Sequence, residues 1–324
     1  MLPTFTAMRS FALLFGVLVF ATSCNVARMQ VRKSAHRLEK EGYAARSFQA
    51  ADGAHFVWAR ETGKEKIMLL HGYNGTGQLQ WSRNAQLLSK DHDVIMPDLL
   101  CHGRSTTHWR PDTTTFPGTS MEAQVAHVIG LLDSLGVNTP ITVVGNSYGG
   151  GVAAWLAHLH PERVKKLVIY DGLVSDYTKA MADSIARSVG APGMLAVMST
   201  PTPADLRVGL KLALYRQPPV PGFILRQIYE TNVRPFRPAQ ITLIKDLMEN
   251  EQKFTTAQFT WPMPVYLIWG ERDRLIPNSV GHAVMERNGI APEHWTVIPK
   301  TGHVANLERP RAFDKALRAI LGRP

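Results

Sequence analysis

The sequence predicts an α/β domain, a mostly parallel sheet with helices on both faces and one helical insertion. Three observations carry this. Short unbroken runs of Val, Ile and Leu alternate with longer stretches whose apolar residues recur at helical spacing. Strands apolar on both sides are buried on both faces, the usual condition of a parallel sheet. The alternation stops between Asp171 and Trp261 and then resumes, as an insertion into one domain requires. An apolar fraction of 45% against 19% charged residues belongs to a chain that buries a core, and 324 residues make that core a large one.

The chain opens with Arg9 and the apolar run Phe11 to Ala21. That run is about half the ~20 residues a bilayer-spanning helix needs, so it reads as a signal sequence. It ends in Ala21-Thr22-Ser23-Cys24, which resembles the lipobox of bacterial lipoproteins, although Ala21 stands where that family most often has Leu. The resemblance implies cleavage after residue 23, lipid on Cys24, and a membrane of the bacterial cell envelope as the location. Cys101 is the only other cysteine, so no internal disulfide is expected. Residues 24–42 carry Arg28, Arg32, Lys33, Arg37 and Lys40 and are expected as a basic tether or surface helix beside anionic headgroups. The net charge of +10 has no zinc-finger spacing, aromatic RNA-binding motif or long basic run beside it, which argues against nucleic acid.

The domain itself is expected over residues 43–324. Two extended runs flank Asp52-Gly53, a hairpin signal, because both turn residues tolerate positive φ. Strands follow at Ile67 to Leu70 and Val94 to Pro97, a helix at Met121 to Leu135, a strand at Ile141 to Val144, a helix at Gly150 to His160 and a strand at Leu167 to Tyr170. The insertion, at about 172–262, shows helical patterns at Thr178 to Val189, Leu206 to Tyr215, Phe223 to Thr231 and Ala239 to Glu249. Met181, Met194, Met198, Leu212, Tyr215, Phe223 and Ile228 there either line a pocket or pack together. Strand and helix resume at Val265 to Trp269, Val280 to Arg287, Trp295 to Pro299 and Arg311 to Leu321.

The segment "VVGNSYGGG" places Ser147 between a strand and a helix, with Gly145 and Gly149 two residues to either side. A strand–turn–helix with G-x-S-x-G at the turn is the nucleophile elbow, and its sharp turn requires those small neighbours. A serine hydroxyl is a poor nucleophile without a base, and the base needs a carboxylate to orient it. Asp273 and His303 each lie just past a strand, at the carboxyl edge where Ser147 sits. Their order, Ser147, Asp273, His303, matches one of three common serine-hydrolase orders. Asp171 also follows a strand and is the rival for the carboxylate; His71, His102 and Asp98 read as loop-organising residues. Neither H-E-x-x-H nor paired-ligand spacing points to a metal, and no cofactor is expected.

With "HG" at His71-Gly72, "DLLCHGRS", "GNSYG", "GERDRLIP" and "GHVANLERP" in this order, the chain resembles the α/β-hydrolase superfamily, in particular its capped, esterase-like members. The resemblance runs from about Tyr43 to Leu321 and implies an eight-stranded sheet with the insertion as lid. It implies an oxyanion hole made by the backbone N–H groups of Tyr73 and Tyr148. Cys101 departs from the pattern, standing where its first glycine would be. The expected activity is hydrolysis of a carboxylic ester or acyl lipid through an acyl-enzyme on Ser147. The alternatives are carbon–carbon bond hydrolysis of ring-cleavage products and a slow-turnover ligand sensor.

Overall fold

The computed structural model describes residues 25–50, 53–107 and 119–323. The expected signal sequence, Cys24 and Asp52 of the hairpin turn lie outside them. Among the described residues no helix is long and apolar enough to cross a membrane.

The sheet forms where the sequence places its apolar runs: β1 (Tyr43–Ala50), β2 (Gly53–Arg60), β3 (Glu65–Leu70), β4 (His92–Pro97), the two-residue β5 (Thr106–Thr107), β6 (Ile141–Asn146), β7 (Val164–Tyr170), β8 (Val265–Gly270) and β9 (Trp295–Ile298). The spatial order is β1-β2-β4-β3-β6-β7-β8-β9, with β5 beside β2. The eight expected strands are therefore present, with β5 as a short ninth. β1 and β2 pair antiparallel from Tyr43–Arg60 to Ala50–Gly53. β2 meets β4 antiparallel, and from β4 to β9 every pairing is parallel. β3 lies between β4 and β6, so the chain leaves it in opposite directions across the sheet, and the crevice at such a switch point opens at the strands' carboxyl ends.

Alternation along the strands feeds two cores. Met68 and Leu70 of β3 face one side with Val143 of β6, whereas Ile67 and Leu69 face the other with Val144. The first side is covered by α3 (Met121–Ser134) and α4 (Tyr148–Leu159), the second by α2 (Gly77–Leu88) and α13 (Pro310–Leu321). Two further helices follow β8 and β9, α11 (Asn278–Arg287) and the short α12 (Ala305–Glu308).

The basic segment is a helix, α1 (Val26–Lys40), capped by Asn25, whose side chain accepts from the Arg28 N–H. It packs on the body: Leu38 is fully buried beside Tyr43 and Trp58, and Gln78 Nε2 donates to the Val31 carbonyl and to Ser34 Oγ. Burying one such leucine is worth about 1.5–3 kcal/mol. Arg28, Arg32, Lys33, Arg37 and Lys40 stay exposed on its outer side.

The insertion folds into α5 (Lys179–Ser188), α6 (Met194–Ser199), α7 (Leu206–Ala213), α8 (Gly222–Ile228) running into a π-helical turn, α9 (Arg237–Glu249) and α10 (Glu251–Thr255). Four of these match the helical periods; α6 and α10, at six and five residues, are too short to show one. The cap holds a small core of its own around Ala182, Ala186 and Leu212. It touches α1 as well, where the Val26 N–H donates to Gln227 Oε1.

Candidate active site

β6 runs straight into Ser147, whose φ of 54° and ψ of −121° turn the chain sharply into α4. This is a backbone region that residues with a side chain rarely occupy and that strained functional turns retain. The turn brings residues 145 and 149 together. A Cβ on Gly145 would fall inside the Gly149 carbonyl, and one on Gly149 would strike the carbonyl of His71. Backbone atoms cannot yield as a side chain can, so both positions admit only glycine. Ser147 is nearly buried at the floor of a cavity beneath the cap.

His303 follows β9 and Asp273 follows β8, so the parallel sheet delivers both to the same edge. His303 Nδ1 lies 2.7 Å from Asp273 Oδ2, and both side chains are buried. The second Asp273 oxygen accepts from the N–H groups of Leu275 and Ile276 at 2.8 and 3.0 Å, which fixes the carboxylate plane. His303 Nε2 is buried with no hydrogen-bond partner among the described residues. That nitrogen is the one a serine hydroxyl would use.

The rival carboxylate is close by. Asp171, Asp273 and His303 each present an atom within 4.8 Å of the other two. Asp171 accepts from the Gly270 N–H at 2.8 Å, and burial together with the Asp273 carboxylate raises its pKa well above the ordinary range. Two carboxylates this close in a dry site do not both ionise, and at Asp171 burial and the neighbouring carboxylate both favour the neutral acid. As a metal site the cluster fits poorly, because His303 Nδ1 and both Asp273 oxygens are already hydrogen-bonded.

Gly72 lies against Ser147: a Cβ on Gly72 would come within 3.1 Å of Ser147 Cβ. Tyr73 and Tyr148 both line the Ser147 cavity. Tyr148 opens α4, whose N-terminal N–H groups favour negative charge. His71 Nε2 accepts from the Leu99 N–H at 2.9 Å, which leaves its Nδ1 to donate to the Gly72 carbonyl at 2.8 Å. The His102 ring packs against His71, Tyr73 and Tyr148. Burial pushes His71 well below the usual histidine range and His102 down to about 4, so both rings are neutral wedges behind the loop. Asp98 accepts from the N–H groups of Gly77 and Arg104 at 2.9 Å, and burial raises its pKa to about 6. Cys101, in the glycine position of the pattern, holds φ of 68° all the same. A side chain there costs about 1–2 kcal/mol.

Two residues absent from the sequence reading tie these loops together. Gln80 Oε1 accepts from the Gly72 N–H, its Nε2 donates to Asn146 Oδ1, and Asn146 Nδ2 donates to the carbonyls of Tyr170 and His303. One side-chain chain thus spans the Gly72 loop, the elbow and the histidine loop. No local pattern marks either residue, because their partners come from 8 to 157 positions away. The cap adds two bonds: the His303 N–H donates to the Ala213 carbonyl of α7 at 2.8 Å, and the Tyr73 hydroxyl donates to the Gln240 carbonyl of α9 at 2.9 Å.

No charged residue lines the Ser147 cavity. Of the cap residues singled out in the sequence, Met194 and Met198 line it, Leu212 packs within the cap, and Phe223 is exposed.

A family profile described as the alpha/beta hydrolase fold matches residues 66–310. The chain is similar to a 2-hydroxy-6-oxononadienedioate/2-hydroxy-6-oxononatrienedioate hydrolase of Cupriavidus pinatubonensis, 27% identical over 286 residues that cover 80% of this chain and 88% of that one. It is also similar to a 2-hydroxymuconate semialdehyde hydrolase of Pseudomonas putida, 28% identical over 242 residues that cover 72% of this chain and 78% of the other. Among solved structures, a membrane phospholipase A described as a bacterial virulence factor superposes with a TM-score of 0.71 at 19% identity, covering 98% of each chain.

Proposed function

The chain belongs to the alpha/beta hydrolase fold family, and on that premise we propose that it is a serine hydrolase working through an acyl-enzyme on Ser147. The observation that carries the proposal is the 2.7 Å contact between His303 and Asp273, with His303 Nε2 unpaired at the edge where Ser147 projects. Ser147 Oγ attacks a substrate carbonyl as His303 Nε2 takes its proton. Asp273 holds the imidazole in the tautomer with hydrogen on Nδ1 and stabilises the imidazolium that forms. The N–H groups of Tyr73 and Tyr148 receive the oxyanion, a role in which one lost donor typically costs about 3–4 kcal/mol. His303 then returns its proton to the leaving group, and water cleaves the acyl-enzyme by the same steps.

The bond cleaved is a carboxylic ester with an apolar acyl group. A cavity without a charged lining residue offers a neutral chain a dry wall and offers a carboxylate no cation. Carbon–carbon bond hydrolysis is the second reading, and the names of the sequence relatives favour it: they are hydrolases of ring-cleavage-type compounds, one of them named for dioates. Assaying p-nitrophenyl butyrate beside 2-hydroxymuconate semialdehyde separates the two. Turnover of the ester alone is the expected result. Cleavage of the semialdehyde alone moves the assignment to carbon–carbon bonds, and turnover of neither, with tight ligand binding, moves it to a sensor.

The protein is exported and held to a membrane by lipid on Cys24, with α1 presenting its basic side to anionic headgroups. Cys24→Ser is expected to move it from the membrane to the soluble fraction. Unchanged membrane association defeats the anchor.

A further inference from the structure

Two cavities lie beneath the cap, and they share a wall. The Ser147 cavity and a second one are both lined by Leu173, Tyr177, Met194, Ile244 and Leu247. The second continues past Ala182, Met248 and Phe254, apolar again, and reaches charge only at Lys179 and Glu251. Lys179 is exposed, and its N–H donates to Glu251 Oε1 at 2.7 Å, so this polar end is the surface end. Ile244, Leu247 and Met248 form one row along α9, the i, i+3, i+4 stripe of a helix, and that row runs from the first cavity into the second.

Resting on the reading of Ser147 as the nucleophile, we propose that the substrate's acyl group is a long unbranched alkyl chain, threaded from Ser147 past the α9 row towards the Lys179–Glu251 mouth. A compact acyl group would leave the second cavity without use, and a terminal carboxylate would have to cross an apolar corridor to reach a cation. Met194, Met198 and Met248 line the route, and unbranched thioether side chains adapt to a flexible chain.

Two serine-directed probes test this without requiring ester turnover: the ethyl p-nitrophenyl esters of butylphosphonic and dodecylphosphonic acid, at submicellar concentration. A bond forms between Ser147 Oγ and phosphorus, the bond from phosphorus to the nitrophenyl oxygen breaks, p-nitrophenolate leaves, and His303 takes the serine proton. Released nitrophenolate gives the rate, and the mass of the intact protein confirms the adduct. Each fully buried methylene is worth about fourfold, so the dodecyl probe is expected to label at least about tenfold faster than the butyl probe. Ala182→Phe and, independently, Met248→Trp obstruct the far cavity; either is expected to abolish the dodecyl advantage and leave butyl labelling within about twofold. Equal rates for both probes in the wild type overturn the corridor, as does a dodecyl advantage that survives both obstructions. Labelling by neither probe removes Ser147 as nucleophile and this inference with it.

Discussion

Ser147→Ala is expected to lower turnover by about 10⁴- to 10⁶-fold, the range seen when the nucleophile of a serine triad is removed. The protein should otherwise be unchanged. Alanine bears the strain of φ 54° as serine does, and the N–H of residue 147 still donates to the Tyr170 carbonyl. No hydrogen bond of the serine hydroxyl helps to hold the fold among those described. Thermal unfolding within a few degrees of the wild type, beside the lost activity, separates chemistry from stability. An activity loss of less than about tenfold would move the reaction away from Ser147 altogether.

The second large effect decides between two acids. Asp273→Asn is expected to cost about 10⁴-fold in kcat, because an amide facing His303 Nδ1 donates where the carboxylate accepted and leaves the imidazole in the wrong tautomer. Asp171→Asn is expected to stay within about threefold, since asparagine matches in shape and polarity an acid whose neutral form burial and Asp273 both favour. Measuring kcat for both variants gives a ranking that the alternative assignment reverses. A large loss from Asp171→Asn with a small one from Asp273→Asn would make Asp171 the orienting carboxylate.

The legible parts of this molecule are those written in adjacent residues. Gly145, Ser147 and Gly149 have to be neighbours for the elbow to exist, and an apolar run ending in a turn marks where Asp273 and His303 leave the sheet. β1 and β2 announce themselves through the Gly53 turn. The illegible parts are written across distance. Gln80 meets Asn146 only after β3 and β6 have paired, and a helix as short as α6 completes too few turns to display a period. α1 reads as charged because its five cations face outward, whereas its packing rests on Leu38 and on a glutamine from α2. The cap is the extreme case: which methionines face a cavity depends on how its helices settle on the sheet.

The bonds from Ala213 to His303 and from Tyr73 to Gln240 tie the histidine loop and the Tyr73 loop to the same cap. Any outward movement of the cap would have to break both bonds, one to each loop. One displacement of the cap would therefore unseat both loops together.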